Sequence, residues 1–150
     1  MPAIQAIPEG FHTLTPTLVL DGAAAAIELY KKAFGAEELY RMETPGSGKI
    51  AHACIKIGDS KMFLCDVGMG CTTASNMNFY VYQKDVDAAF GQAKQAGLEE
   101  TSPVQDMFWG DRTGSLKDRF GIHWSLATHV RDVSQQELQD GMKKMASKAA

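Results

Sequence analysis

A tandem repeat is the feature that most limits the fold of this chain. Residues 15–66 and 77–128 each predict a strand, a glycine-terminated helix and a run of β-hairpins. The helix-ending glycines, Gly35 and Gly97, are 62 residues apart. A single βαβββ unit cannot bury both faces of its sheet, so two copies are expected to curl around a shared cleft. The function is expected in that cleft.

Turn and capping residues give the expected boundaries. The first half predicts a helix over 22–34 with Asp21 as its N-cap, and strands at about 14–20, 37–43, 49–57 and 61–66. The second half predicts a helix capped by Asp85 and strands at 79–82 and at about 103–107, 112–117 and 122–128. Ser134 and Glu137 form a capping box that opens a C-terminal helix over 134–148. We expect a single domain over 1–137, with modules at about 12–67 and 76–130.

Composition excludes several classes of protein. With 45% hydrophobic residues the chain can bury a core, and a net charge of −3 without a basic stripe argues against nucleic acid as a partner. No apolar run approaches the roughly 18 residues that span a bilayer, so no membrane partner is expected. Residues 1–5 lack the features of a signal peptide, and a cytoplasmic location is expected. Cys54, Cys65 and Cys71 are odd in number and form no CxxC motif, which indicates buried thiols rather than a metal or redox site.

Two groups of residues resemble a known superfamily. The segment 26–37 and the turn 118–121, within the repeated βαβββ pattern, resemble the vicinal oxygen chelate superfamily, which contains glyoxalase I, bleomycin-binding proteins and extradiol dioxygenases. The segments 108–112 and 120–129 resemble its PhnB-like branch. The resemblance covers about residues 12–137. It implies an α+β fold in which two tandem βαβββ modules form curved mixed sheets around a cleft, followed by a C-terminal helix.

The resemblance also implies where a divalent metal would bind. By position, the superfamily's ligands fall near Thr15 and Asn78 on the first strand of each half, within 63–66 in the first half, and at Ser125. Only Asp66 is a good ligand, because neutral Thr, Asn and Ser oxygens are poor partners for Zn²⁺, Ni²⁺ or Fe²⁺. No metal is therefore expected, although a divalent metal remains the alternative cofactor.

Candidate site residues follow from residue type and position. His52 and Asp66 are the candidate catalytic residues, and an ordinary hydrogen-bonded strand histidine is the alternative for His52. The candidate ligand-binding residues, chosen mainly for aromatic or polar character along the strands, are Phe63, Asn78, Tyr80, Phe108, Trp109, Arg112, Trp124 and Ser125. Strand alternation places Trp124 inward or outward, and its size favours the core, which would expose His123. His12 and His129 flank the repeats and are expected at the surface.

The segment 108–112 admits two interpretations. As a functional element, Trp109 would stack on a planar ligand and Arg112 would grip an anion. As a structural element, Asp111 or Asp118 would pair with Arg112 and fix the loop, and the aromatic residues would complete the core. Asp111 could also form an acid–base pair with Asp66.

Three functional hypotheses remain open. The first is a metal-free binder of a small, partly aromatic molecule. The second is an enzyme: either a metal-dependent lyase, isomerase or transferase with displaced ligands, or a metal-free acid–base catalyst using His52 or Asp66. The third is an interaction role. A homodimer is expected, because proteins of this fold commonly pair and the edge strands would otherwise stay open.

Overall fold

The computed structural model describes residues 3–68 and 73–149. The chain divides into two compact units, Met1–Asn76 and Met77–Ala150. Each unit contains one four-stranded mixed sheet, and the three helices complete the α+β class predicted from the sequence. Cys71 lies outside the described residues, whereas Cys54 and Cys65 are buried thiols. None of the helices within the described residues is long and apolar enough to cross a membrane.

The first unit has βαβββ order. Its elements are β1 (Thr17–Leu20), α1 (Ala23–Phe34), β2 (Glu37–Glu43), β3 (Ile50–Ile57) and β4 (Ser60–Asp66). The strand order in space is β1-β4-β3-β2, with β1 parallel to β4 and the other pairs antiparallel. The parallel pair exists because α1 provides the crossover that parallel strands require. One face of the sheet packs on α1, with Leu18, Leu20, Ile27, Tyr30 and Leu64 in the core.

The second unit repeats this order. Its elements are β5 (Asn78–Tyr82), α2 (Val86–Gln95), β6 (Glu99–Asp106), β7 (Asp111–Lys117), β8 (His123–His129) and α3 (Gln135–Ala149). The strand order is β5-β8-β7-β6, which matches the order in the first sheet. The tandem βαβββ architecture that the repeat predicted is thereby confirmed.

Some element boundaries and caps differ from the prediction. Asp21 does not cap α1. The N-cap residue is Gly22, which has no side chain to accept a hydrogen bond from the first amides of the helix. Asp85 does cap α2, since its Oδ1 accepts a hydrogen bond from the Ala88 amide. Strand β6 begins at Glu99, earlier than predicted, and contains Pro103. It tolerates the proline because it lies at the edge of its sheet, where a missing amide donor costs no ladder bond.

The C-terminal helix begins as its capping box predicts. The Glu137 amide donates to Ser134 Oγ at 3.1 Å. Gly141 lets α3 approach the β6–β7 turn, because a Cβ added at this residue would lie 2.2 Å from the Phe108 ring. The helix therefore rests on the side chain of Phe108.

Candidate functional site

Each sheet has one face covered by its helix, and we call the opposite face the open face. In the second unit, the side chains of Trp124, Leu126 and Thr128 point to the helix face, where Thr128 Oγ1 accepts a hydrogen bond from the Val86 amide at the start of α2. Alternation along β8 then places Ser125 and His129 on the open face. The strand registers place side chains of β5 and β7 beside them.

A buried carboxylate organises the open face of the second sheet. Asp111 begins β7 directly opposite His129 on β8, and it is only 3% exposed. Its Oδ2 accepts hydrogen bonds from the hydroxyls of Tyr80 at 2.8 Å and Tyr82 at 3.0 Å, and its Oδ1 lies 2.8 Å from His129 Nδ1. The indole N–H of Trp109 donates to the Tyr80 hydroxyl at 3.3 Å. These five residues form a connected group that we call the Asp111 network.

The titration behaviour of the Asp111 network follows from its hydrogen bonds. Burial alone would raise the pKa of Asp111, but the hydrogen bonds from His129, Tyr80 and Tyr82 together outweigh it, and the pKa lies below its usual value. Hydrogen bonds to Asp132 and then to Asp111 raise the pKa of His129. The pKa of Tyr80 is raised chiefly by burial, and that of Tyr82 chiefly by its hydrogen bond to Asp111. The group therefore favours an anionic Asp111, neutral phenols and a protonated His129.

A glycine fixes the turn that carries Trp109. Gly110 adopts φ 96°, and its carbonyl accepts hydrogen bonds from the amides of Val130 and Arg131. A Cβ added at Gly110 would lie 2.1 Å from the Arg131 carbonyl oxygen. Only glycine fits here, because both the positive φ and the close approach exclude a side chain. The turn thus holds the indole of Trp109 beside Tyr80.

The open face of the first sheet carries a different group of side chains. His52 Nε2 lies 3.0 Å from the Tyr40 hydroxyl, and the His52 ring centroid lies 4.6 Å from that of Phe63. The Phe63 ring in turn contacts Phe11, with a centroid separation of 5.7 Å. Burial raises the pKa of the neighbouring Cys54 thiol, so the thiol remains protonated near neutral pH. This face is aromatic, and its candidate base, His52, is bound to a tyrosine hydroxyl.

Asp66 does not share the open face with His52. Its carboxylate points to the helix side, where Oδ1 accepts hydrogen bonds from the amides of Gly22 and Ala23 and Oδ2 accepts one from Ile50. Burial would raise the pKa of Asp66, but these backbone bonds together lower it. Asp66, Lys49 and Cys65 are among the residues that line a cavity of about 360 Å³. Two of the bonds to Asp66 thus close the start of α1, and the third binds the first residue of β3.

Two of the candidate ligand-binding residues lie away from the open face. Arg112 points to the helix face, where Nε and Nη2 each lie 2.9 Å from Asp87 and Nη1 lies 3.2 Å from Asp106. The structural alternative, in which Arg112 pairs with Asp111 or Asp118, was therefore wrong in its partners. Strand alternation puts Arg112 and Asp111 on opposite faces, and Asp118 follows the far end of β7. Trp124 is 1% exposed and stacks on Phe79, while its indole N–H donates to Asp118 Oδ2.

The other candidates of the second unit lie on or near the open face. Tyr80 and Trp109 belong to the Asp111 network, and Asn78 is exposed at the start of β5. Ser125 Oγ lies 2.9 Å from Ser115 Oγ. Phe108 packs between α3 and Trp109, with its ring edge-on to the indole at 5.1 Å.

Comparison with known proteins agrees with this architecture. A model of the Glyoxalase/Bleomycin resistance protein/Dioxygenase superfamily matches residues 11–126. The chain belongs to this superfamily. An uncharacterized protein of Mycobacterium bovis is 40% identical over 139 residues, which cover 86% of this chain and 91% of the relative. A Mycobacterium tuberculosis protein, also uncharacterized, shows the same identity over 86% of this chain and 81% of its own length.

Solved structures of the superfamily share the fold. TioX from Micromonospora sp. ML1 superimposes with a TM-score of 0.63 at 25% identity, over 78% of this chain and 99% of TioX. The PhnB protein from Bacillus cereus gives a TM-score of 0.62 at 20% identity, over 78% of this chain and 99% of that protein. The superfamily resemblance read from the sequence is thus confirmed. At 20% identity, the likeness to the PhnB protein is one of fold.

The metal positions of the superfamily do not fit a divalent ion in this chain. The residue that matches Ser125 in strand order is Phe63, because Phe63 lies opposite Thr17 on β1 as Ser125 lies opposite Tyr80 on β5. Phe63 has no donor atom, and Asp66 points to the helix face. Thr15 and Asn78 offer only neutral oxygens. Within residues 3–68 and 73–149, no three His, Cys, Asp or Glu side chains are placed to hold an ion.

The sequence interpretation missed three members of the Asp111 network. Tyr82 follows Tyr80 at the two-residue period that puts both on one strand face, which was a usable signal. His129 was expected only as a surface residue, and Asp111 was considered as a partner of Arg112 or of Asp66. Their contact depends on the pairing of β7 with β8, which could have been estimated by counting outward from the 118–121 turn.

Proposed function

We propose that this superfamily member binds a small, partly aromatic molecule on the open face of its second sheet. The observation that supports the proposal is that aromatic rings are exposed on this face while hydrogen bonds to buried or neighbouring groups fix their positions. Tyr80 is 45% exposed and Tyr82 is 62% exposed, yet both hydroxyls bond to the buried Asp111. Trp109, which is half-buried, extends this surface through its hydrogen bond to Tyr80.

Prior ordering of the rings favours binding. An aromatic ring loses few rotamers when a ligand covers it, and these rings have already lost that freedom through their bonds to Asp111. A planar ligand that stacks on them buries apolar surface, which stabilises the complex by roughly 25 cal/mol per Å². The two tyrosine rings meet edge to face, with centroids 5.3 Å apart, and so present both a ring edge and a ring face to a ligand.

The superfamily supports the same class of ligand. Its name includes two kinds of enzyme, glyoxalase and dioxygenase, and a protein that gives resistance to the small molecule bleomycin. The expected location in a cleft between the two modules remains a prediction. The enzyme alternative also remains a hypothesis, although the residues at the superfamily's metal positions do not support its metal-dependent form.

Tryptophan fluorescence provides a direct test. The chain has two tryptophans, and Trp124 is 1% exposed, so a ligand stacked on the second sheet should quench Trp109 selectively. We expect bicyclic aromatic compounds to quench the wild type saturably and to raise its Tm by mass action. Trp109→Phe should abolish the quenching, and Tyr80→Leu should weaken binding about tenfold, since one stacked ring contributes about 1 kcal/mol or more.

A matched control lies at the other end of the same strands. Phe120 is a half-buried aromatic residue in the β7–β8 turn, remote along those strands from Asp111 and His129. Phe120→Leu should bind the same compounds with unchanged affinity. If Tyr80→Leu and Phe120→Leu bind equally well while both remain folded, the open face of the second sheet is not the binding surface.

We also propose a homodimer. Strands β2 and β6 lie at sheet edges, and β2 exposes the apolar side chains of Leu39, Tyr40 and Met42. An exposed apolar edge strand favours pairing with another chain. Sedimentation equilibrium at micromolar concentration should give twice the chain mass of 16.3 kDa. A monomer under these conditions would contradict the proposal.

A further inference from the structure

The two carboxylates that contact His129 differ in their surroundings. Asp111 Oδ1 and Asp132 Oδ1 each lie 2.8 Å from a ring nitrogen, at Nδ1 and Nε2 respectively. Asp111 is buried and is itself fixed by Tyr80 and Tyr82, whereas the Asp132 side chain is fully exposed. Because an exposed ion pair contributes little free energy, the contact of Asp132 with Nε2 is the replaceable one.

We propose that the anionic group of an aromatic acid takes the place of Asp132 on His129 Nε2. This proposal rests on the proposed function, because the ring of the acid would lie on Tyr80, Tyr82 and Trp109. It identifies the ligand class as a small planar molecule with a carboxylate. Asp132 then acts as an internal substitute that occupies the anion position while no ligand is bound.

The charges around His129 favour such an exchange. The groups that face its ring are Asp111 from β7, the two phenols of β5 behind Asp111, and Asp132 from the segment after β8. Replacing one carboxylate by another leaves the imidazolium with two anionic partners, and the released Asp132 returns to water. A cationic ligand would instead meet the positive imidazolium.

Neighbouring arginines are already engaged elsewhere. Arg112 forms its ion pairs on the helix face with Asp87 and Asp106. Arg131 bonds to Glu137 Oε2 at 2.9 Å and to the Phe108 carbonyl oxygen at 3.2 Å. Among the cations of these segments, His129 is the one that shares a hydrogen-bond network with the exposed rings.

Three compounds with the same ring separate charge from stacking. We would titrate 2-naphthoate, neutral 2-naphthamide and cationic 2-naphthylmethylamine, following Trp109 fluorescence and calorimetric heat at about pH 6 and pH 8. At about pH 6 we expect 2-naphthoate to bind about tenfold more tightly than the amide, as one charge-assisted hydrogen bond would provide. The preference should be smaller at pH 8 than at pH 6, because a smaller fraction of His129 is protonated at the higher pH.

Two substitutions test the anion position. His129→Gln should remove the preference for 2-naphthoate, so that the ratio of the acid and amide affinities measured on the same variant falls to about one. Asp132→Asn should raise the affinity for 2-naphthoate several-fold at about pH 6, because it removes the competing carboxylate. The two proteins are compared at this pH because Asp132 also raises the pKa of His129, and its loss would deprotonate more of the imidazole at higher pH. Asp140→Asn, which makes the same charge change on α3 where Asp140 bonds Gln136, is the control and should have no effect.

The outcomes separate this inference from the proposed function. Equal binding of the acid and the amide by the wild type, unaltered by His129→Gln and Asp132→Asn, would overturn the anion position and leave aromatic binding intact. Failure of all three compounds to bind at millimolar concentration would overturn both. A preference for the amine would show that the face selects cations, and would also overturn the inference.

Discussion

Asp66 and Thr128 are 62 residues apart, and each ties the last strand of its βαβββ unit to the start of that unit's helix. Asp66 accepts hydrogen bonds from the Gly22 and Ala23 amides, and Thr128 accepts one from the Val86 amide while donating to the Gln83 carbonyl. Their separation equals the repeat length. The two residues therefore occupy the same place in the repeat and satisfy helix N-terminal donors that would otherwise lack partners.

Removing the Asp66 carboxylate should destabilise the protein. Asp66→Ala leaves three backbone amides without their acceptor, and we expect a loss of about 3 kcal/mol in the free energy of unfolding. Urea denaturation followed by circular dichroism measures it. Asp59→Ala, in the exposed β3–β4 turn, is the control and should change stability by less than about 0.5 kcal/mol. An equal, small effect at both positions would contradict the capping role.

Glu38 should contribute to the loss of stability in acid. Hydrogen bonds from Arg41, and then from Lys31, hold the pKa of Glu38 at about 2 against the opposing effect of burial. Because this value lies below the unfolded value of about 4.3, the contribution is present above about pH 4 and is lost as the pH falls through 2. Glu38→Gln should cost ~1 kcal/mol at pH 7, after solvent screening, and should flatten the acid limb of a stability–pH curve.

The exposed Glu99 on β6 supplies the comparison for Glu38. Glu99→Gln should leave both the stability at neutral pH and the acid limb unchanged. Parallel curves for the wild type and Glu38→Gln between pH 4 and 2 would show that the contacts of Glu38 do not persist in solution.

Gly141→Ala should lower the stability of the protein, whereas Gly91→Ala should raise it. Alanine normally stabilises a helix interior by ~1 kcal/mol relative to glycine. At Gly91 in α2 no atom lies within 4 Å of an added Cβ, so Gly91→Ala should be stabilising. At Gly141 the added Cβ would meet the Phe108 ring at 2.2 Å, so Gly141→Ala should cost about 1–3 kcal/mol despite its helix propensity. The Tm values of the two variants, compared with that of the wild type, show whether helix propensity or packing against Phe108 dominates at Gly141.

The Asp111 network should lose stability as the pH rises. Hydrogen bonds to Asp132 and Asp111 raise the pKa of His129, so its contribution is fully present below the unfolded value of about 6.5 and is lost as the pH rises through the folded pKa. The Tm of the wild type should therefore fall more between about pH 6 and 9 than that of His129→Gln. His123→Gln, at the exposed opposite end of β8, should behave as the wild type does.

The sequence by itself determined the elements and their order. Gly35 and Gly97 marked the ends of the repeated helices, Asp85 and Ser134 marked helix starts, and the size of Trp124 correctly favoured the core for that ring. These features depend on neighbours within a few residues, and local backbone preferences and side-chain periodicity suffice to find them.

Only the tertiary structure decided which side chains meet on the open face. Asp66 was a candidate catalytic residue from its type and position, and the fold shows that its carboxylate bonds two amides at the start of α1 and the Ile50 amide of β3. Asp111 and His129 are 18 residues apart, and the β7–β8 pairing brings them opposite each other. Because a shift of one residue in strand register moves every side chain to the other face, composition and spacing alone could not select the pair.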